Sequence, residues 1–265
     1  ANVQTNETGR GLAWLLPVAA LGWPAVHLVE LGASAGLNLV AEQRSYRLTA
    51  GAVDPALMTL GAAGRPQFAV SVSDSPDLSG RRDLTGLRSP TILSRTGGDI
   101  HPFHLRTVGD ELTLAAFVWA DQPARLLRLR EGIEALRAIE RSSAPVRLRP
   151  LHLPDELPRF LDEALPRSPD APVVLYNTIV TMYLPEGGAG LRRHVEPWAR
   201  RQPAPVLWLQ WEPSDTADLK PPYPDWAAWS ADLWQAGEHR RLHLGWVHPH
   251  GASIRELDLS GLLAT

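Results

Sequence analysis

The chain has 265 residues, 44% hydrophobic and 21% charged, with a formal net charge of −3 and no cysteine. That length supports one large domain or two small ones with a sizeable core. The composition excludes a disulfide framework, a thiolate metal site and a cysteine nucleophile, gives no global field for nucleic acid, and contains no apolar run near the roughly 20 residues that span a bilayer.

In chain order, residues 10–22 predict a short helix with Leu12, Leu15, Leu16 and Ala19 on one face. Val26–Leu31 predicts a fully buried strand. A glycine loop follows, and then a helical stretch, Leu37–Gln43. Residues 44–90 read as an irregular insertion, in the manner of a lid. Within it "RSYRLTA" and "PQFAVSVS" alternate like a hairpin or edge strands, and Asp54-Pro55 opens a short helix. "PTILSRTGGD" (90–99) reads as a strand, and 109–118 and 123–141 as helices. The arginines of the second helix, Arg125, Arg128, Arg130, Arg137 and Arg141, are mixed with glutamates and read as a solvated face. Strands at 144–153, 171–180, 204–212 and 241–249 are separated, over the first three, by helices at 155–165 and 187–201. This alternation predicts one α/β domain over 1–265, a doubly wound, mostly parallel sheet with helices on both faces.

The stretch "VHLVELGASAGLNLV" (26–40) admits two chemistries. As G-x-S-x-G, Ser34 is a nucleophile on a strand-to-helix elbow. Its partners would come from Asp215, Asp218 or Asp225 and from His248 or His250. Against this, only 33 residues precede Ser34, no His-Gly-Gly segment lies upstream, and the strand looks like the first of its sheet. As E-x-G-x-S-x-G, Glu30, Gly32, Ser34 and Gly36 form a loop where backbone approaches a nucleotide-like ligand at a helix N-terminus.

The second spelling resembles the first motif of class I S-adenosylmethionine-dependent methyltransferases. That resemblance implies a Rossmann-like fold, the cofactor S-adenosylmethionine, and methyl transfer by in-line displacement to a small-molecule acceptor. It implies that Asp99 holds the ribose, that Asp155 meets the adenine, and that Asn177 and Tyr183 face the acceptor. Plainer alternatives stand beside each: Asp99 caps a turn, Asp155 caps a helix, and Asn177 is a buried, satisfied amide. "TNETGR" offers Arg10 to the cofactor's carboxylate, with Asn6 and Glu7 toward the cleft; alternatively Thr5 or Asn6 caps a helix. In "WADQPARL" (119–126), Trp119 either stacks on a ligand or fills the core, and Asp121 either bonds a ligand or caps the next helix. "HPHG" (248–251) offers His250 as a cleft-facing base; no third ligand supports a metal site.

Taken in order, "TNETGR", "LVELGASAGLNL", "GGDIHP", "FVWADQPARLLRLREGIEALR", "VVLYNTIVTMYLP", "LQWEP" and "GWVHPHG" resemble an uncharacterised bacterial family, domain of unknown function 2332, over nearly the whole chain. The resemblance implies the methyltransferase type of fold and a further helical segment before "TNE", in keeping with a chain that starts at Ala1. "GGDIHPFHL" departs from the usual pattern, which has Cys after the first glycine and an acid where Phe103-His104 stands. The expected protein is cytoplasmic, takes a small-molecule substrate, and has neither nucleic acid nor membrane as a partner. The two competing functions are a serine hydrolase and a binding module without turnover.

Overall fold

The computed structural model describes residues 7–51, 56–75, 86–166, 170–213 and 222–263. Its strands in chain order are β1 (Ala25–Leu31), β2 (Ser45–Ala50), β3 (Ala56–Gly61), β4 (Gln67–Ser73), β5 (Thr91–Asp99), β6 (Val146–Pro150), β7 (Val173–Thr178), β8 (Val206–Pro213), β9 (Ala227–Gln235), β10 (Glu238–Val247) and β11 (Ser253–Arg255). The main helices are α1 (Leu12–Leu21), α2 (Val108–Ala116), α3 (Pro123–Ile139), α4 (Leu157–Ala164) and α5 (Gly187–Ala199). Tight 3-10 turns occupy Thr8–Gly11, Leu37–Gln43 and Thr181–Tyr183.

All these strands join one sheet, in the order β3-β2-β4-β11-β10-β9-β8-β7-β1-β5-β6. β6, β5, β1, β7 and β8 run parallel. Counted in chain order, these five stand 3-2-1-4-5 across the sheet, so the winding reverses beside β1, where open α/β sheets take ligands. β1 is buried on both faces because its side chains alternate between two cores. Val26 and Leu28 meet α1 together with Val174, Leu207 and Leu209. Val29 and Leu31 meet α4 and α5 through Leu157, Leu161, Leu191 and Val195. α3 packs Leu129 and Ile133 on Ala35 and Leu37, and Ala135 and Ile139 on Val40.

The structure alters the expected fold in four places. First, the sheet, mostly parallel as expected, also holds an antiparallel meander of β8, β9, β10 and β11. Second, the described part of the insertion at 44–90 extends the sheet, joined through parallel pairing of β4 with β11. "RSYRLTA" and "PQFAVSVS" are not a hairpin: Tyr46 stands opposite Phe68 in parallel register, and β3 lies between them in sequence and pairs with β2 on its far side. Third, Ala56–Gly61 is a strand where a helix was expected to continue; Asp54 and Pro55 lie outside the described residues. Fourth, α1 is not one-sided. It is buried all round from Leu12 to Ala20, held between the sheet and Leu257, Leu259 and Leu262.

Two glycines show how space sets the cost of a side chain. Gly22 ends α1 at φ 66 with nothing within 4 Å of an added Cβ. Gly32 ends β1 at φ 78, and an added Cβ would sit 2.4 Å from Cγ2 of Val180. Gly22→Ala is therefore expected to cost about 1 kcal/mol, and Gly32→Ala about 2–4 kcal/mol. Urea unfolding of the two variants checks the order.

Candidate functional site

The site is built where the parallel strands end. After Leu31 the chain turns through the glycine loop and is sewn to β5. The N–H groups of Gly32 and Ala33 donate to the Gly98 carbonyl at 2.8 and 3.1 Å, and the Gly36 N–H closes the turn on the Ala33 carbonyl at 2.7 Å. Ser34 holds φ 48, a left-handed conformation that few residues with a side chain adopt. Its N–H donates to Oδ2 of Asp99 at 2.8 Å, and its carbonyl accepts from the Phe103 N–H at 3.0 Å. The other Asp99 oxygen accepts from the His101 N–H at 2.9 Å. Asp99 thus acts as the brace of the loop and of its own turn, which is the capping alternative. Gly36 faces away from the crevice: an added Cβ would lie 2.9 Å from Val146 and 3.1 Å from Leu148 on β6.

In front of the loop is a polar cavity of about 30 Å³, lined by Glu7, Arg10, Glu30, Gly32, Ser34 and Asn38 among others. Glu30, directly opposite Tyr176 in the β1–β7 register, is buried at 2% exposure. One of its carboxyl oxygens lacks a hydrogen-bond partner, as does Oδ1 of Asn38. Burial pushes the Glu30 carboxyl up to about 8, the Asp99 charge adds to this, and Tyr176, Asn38 and Arg10 pull the other way. Arg10 is buried, with Nε donating to the Pro249 carbonyl at 2.9 Å. Burial lowers its pKa, opposed by the charges of Glu7 and Glu212.

Glu7 gathers the site from both ends of the chain. It caps the 3-10 turn through the Gly9 N–H at 3.3 Å. Its carboxylate lies 2.9 Å from Nε of Arg125, 3.6 Å from Nε of Arg128 and 3.4 Å from Nδ1 of His250. Burial raises its pKa, but His250, Arg128, Arg125 and the Gly9 N–H outweigh that and hold it below the usual carboxylate range. The contact is close enough that a Cβ on Gly251 would meet the Gly9 backbone at 3.1 Å. "TNETGR" and "HPHG" therefore form one wall. The helix cap expected at Thr5 or Asn6 is supplied by Glu7; Asn6 itself lies outside the described residues.

Other expectations fall differently. Arg125 and Arg128 of α3 are not solvated: they turn inward to Glu7, while Glu131 turns inward to Arg44 at 3.1 Å. Arg130, Arg137 and Arg141 are exposed, as the charge pattern implied. Asn177 is the buried, satisfied amide: Nδ2 donates to Glu212 at 2.7 Å, and Oδ1 accepts from Nε1 of Trp208 at 2.8 Å. One bond is made at each end of the amide, and the residue is fully buried. Asp155 is exposed and does not cap α4, whose first flanking residue is Glu156. Trp119 is 74% exposed and not a core indole, and α3 is preceded by Gln122 rather than capped by Asp121. Tyr183, also exposed, ends the turn after β7. Asp215 and Asp218 lie outside the described residues. Sequence reasoning gave no role to Glu212, which is buried and accepts from Asn177, from the Val180 and Thr181 N–H groups and from the Thr181 hydroxyl. The only signal was its place in "LQWEP", one strand over from "LYNT".

Fold and crevice together define a mixed α/β protein with a polar cavity at the switch point of its parallel strands. The chain belongs to the family described as "Uncharacterized protein conserved in bacteria (DUF2332)", whose model matches residues 1–256. No curated protein and no solved structure matches it. No helix among the described residues is long and apolar enough to cross a membrane.

The protonation of Glu30 makes a stability prediction. Its pKa rises from 4.5 to about 8 on folding. Between these values the folded state holds a proton that the unfolded state has lost, so this contribution is full below the lower value and lost as pH rises through the upper one. Glu30→Gln is expected to remove that decline. Urea unfolding of both proteins from pH 5 to pH 9 reads it; parallel stability curves would show that Glu30 is ionised throughout.

Proposed function

We propose that the crevice binds S-adenosylmethionine and that the protein transfers its methyl group to a small-molecule acceptor. The observation that carries this reading is Glu30: a buried carboxyl with a partnerless oxygen, at the end of the central strand, sharing a cavity with Arg10 and the glycine loop. A guanidinium and a carboxyl able to ionise, facing one small space, match a zwitterionic amino-acid group. Arg10 would take the carboxylate, since a guanidinium suits that geometry. Glu30 and Oδ1 of Asn38 would accept from the ammonium. About 30 Å³ suits a charged end group rather than a nucleoside, so the match is to the amino-acid end. The five-strand order 3-2-1-4-5 supports a Rossmann-like frame for the rest. When bound, the cofactor supplies a methyl group on a good leaving group. The chain's share is then orientation and exclusion of water. His250, half-exposed beside Glu7, and Tyr183 remain as groups toward the acceptor.

Calorimetric titration with S-adenosylhomocysteine tests the cofactor part. Saturable binding is expected, weakened roughly tenfold or more in Arg10→Gln. Because an ammonium favours ionised Glu30, binding near pH 7 should release a proton to buffer in the wild type and none in Glu30→Gln. Absence of heat and of thermal stabilisation with either the methylated or demethylated cofactor overturns the reading.

One observation favours the hydrolase as a second reading: Ser34 has the left-handed backbone of a nucleophile elbow. Its backbone is tied to Asp99 and Phe103, and the described residues lining its cavity include no histidine. A fluorophosphonate probe is therefore expected to leave Ser34 unlabelled; labelling lost in Ser34→Ala would select the hydrolase instead.

A further inference from the structure

Behind the glycine loop lies a second, larger cavity of about 290 Å³. Where Ser34 faces the polar cavity, its neighbour Ala35 lines this one, with Phe103, Leu105, Leu136, Val146 and Leu148. It falls between two small apolar clusters, one around Leu114, Leu129 and Ile133 and one around Val40, Ala135 and Ile139. Small-molecule sites begin at roughly 300 Å³ and are mostly apolar with a few convergent polar groups. The polar side chains lining the cavity are His104, Arg106 and Glu140, all exposed. No ion pair is formed by His104 or Arg106 among the described residues. The nearest acid in sequence, Asp110, is engaged in the capping box of α2, taking the Arg106 and Thr107 N–H groups and the Thr107 hydroxyl. The lining thus carries Arg106, His104 and one acid, Glu140, beside its aliphatic wall.

We propose that this cavity binds a small free monocarboxylate with an apolar body, the carboxylate held by Arg106 and His104 and the body packed between α3 and β6. Charge complementarity sets the head group, and the Leu, Val and Phe walls set the body. The site is separate from the crevice and does not depend on what the crevice binds.

The test is calorimetric titration of the full chain with octanoate and with octanol. Octanoate is expected to bind with a dissociation constant on the order of 10–500 μM. Octanol should bind at least fivefold more weakly, and Arg106→Gln should weaken octanoate roughly tenfold without changing octanol. Arg106 is exposed, so this variant keeps the fold. Val146→Phe, which fills the cavity, should abolish binding of both. No binding of octanoate to the wild type overturns the proposal. So does equal binding of octanoate to Arg106→Gln, or unchanged binding in a folded Val146→Phe.

Discussion

The structure depends on the complete burial of β1. A strand covered on both faces and flanked by a parallel neighbour on each side meets solvent only at its ends. Every polar group near its C-terminal end must then find a partner or remain unpaired in a low-dielectric setting. The glycine loop is one answer: three of its N–H groups are tied to Gly98 and Asp99, and a fourth to its own turn. Glu30 is the exception. It lies one residue before the strand ends, on the α1 side, and its carboxyl is better tolerated with a proton than without one. Burial that stabilises the sheet is thus what perturbs the group a ligand would meet.

Glu7 solves a related problem for the arginines. Arg10, Arg125 and Arg128 are drawn from two segments far apart in sequence, and His250 comes from a third. Buried cations need an anion close by, and one carboxylate serves all of them. The same carboxylate caps the first turn and lines the cavity. The 3-10 turn, the start of α3 and the turn between β10 and β11 are therefore held to one another by charge as well as by the Gly9–Gly251 contact.

Much of this was legible in the sequence where one residue pattern has one physical meaning. Val26–Leu31, between Pro24 and Gly32, and the run after Pro172 in "APVVLYNTIV" are apolar, and both hold buried strands. The stripe of α3 at Leu129, Ile133 and Ile139 is the face that packs. The failures fall where one pattern has two meanings. β9 reads "AAWSADLWQ", with small residues on both faces, so it shows neither alternation nor a continuous aliphatic run. Alternation in β2 and β4 marks a strand, but the direction of its partner is not written in it. Arg125 and Arg128 look like any solvated helical pair, since their partner is more than a hundred residues upstream at Glu7. Asp99 and Asn177 read equally as ligand groups or as structural ones, and their bonds to Ser34, His101, Trp208 and Glu212 are with residues the sequence does not mark as partners.

The loop itself shows why its spelling is ambiguous. Small residues are required by the packing from several sides. A Cβ on Gly97 would come within 2.5 Å of Ala33, one on Gly32 would strike Val180, and one on Gly36 would strike Val146. These constraints account for Gly32, Ala33 and Gly36 before any ligand is considered. They do not account for Ser34, which carries a side chain at a backbone angle that favours glycine. They also do not account for Glu30, since an apolar residue would suit its buried position better. The sheet therefore requires the glycines of "ELGASAG" in any case, while its acid and its serine have no such packing reason.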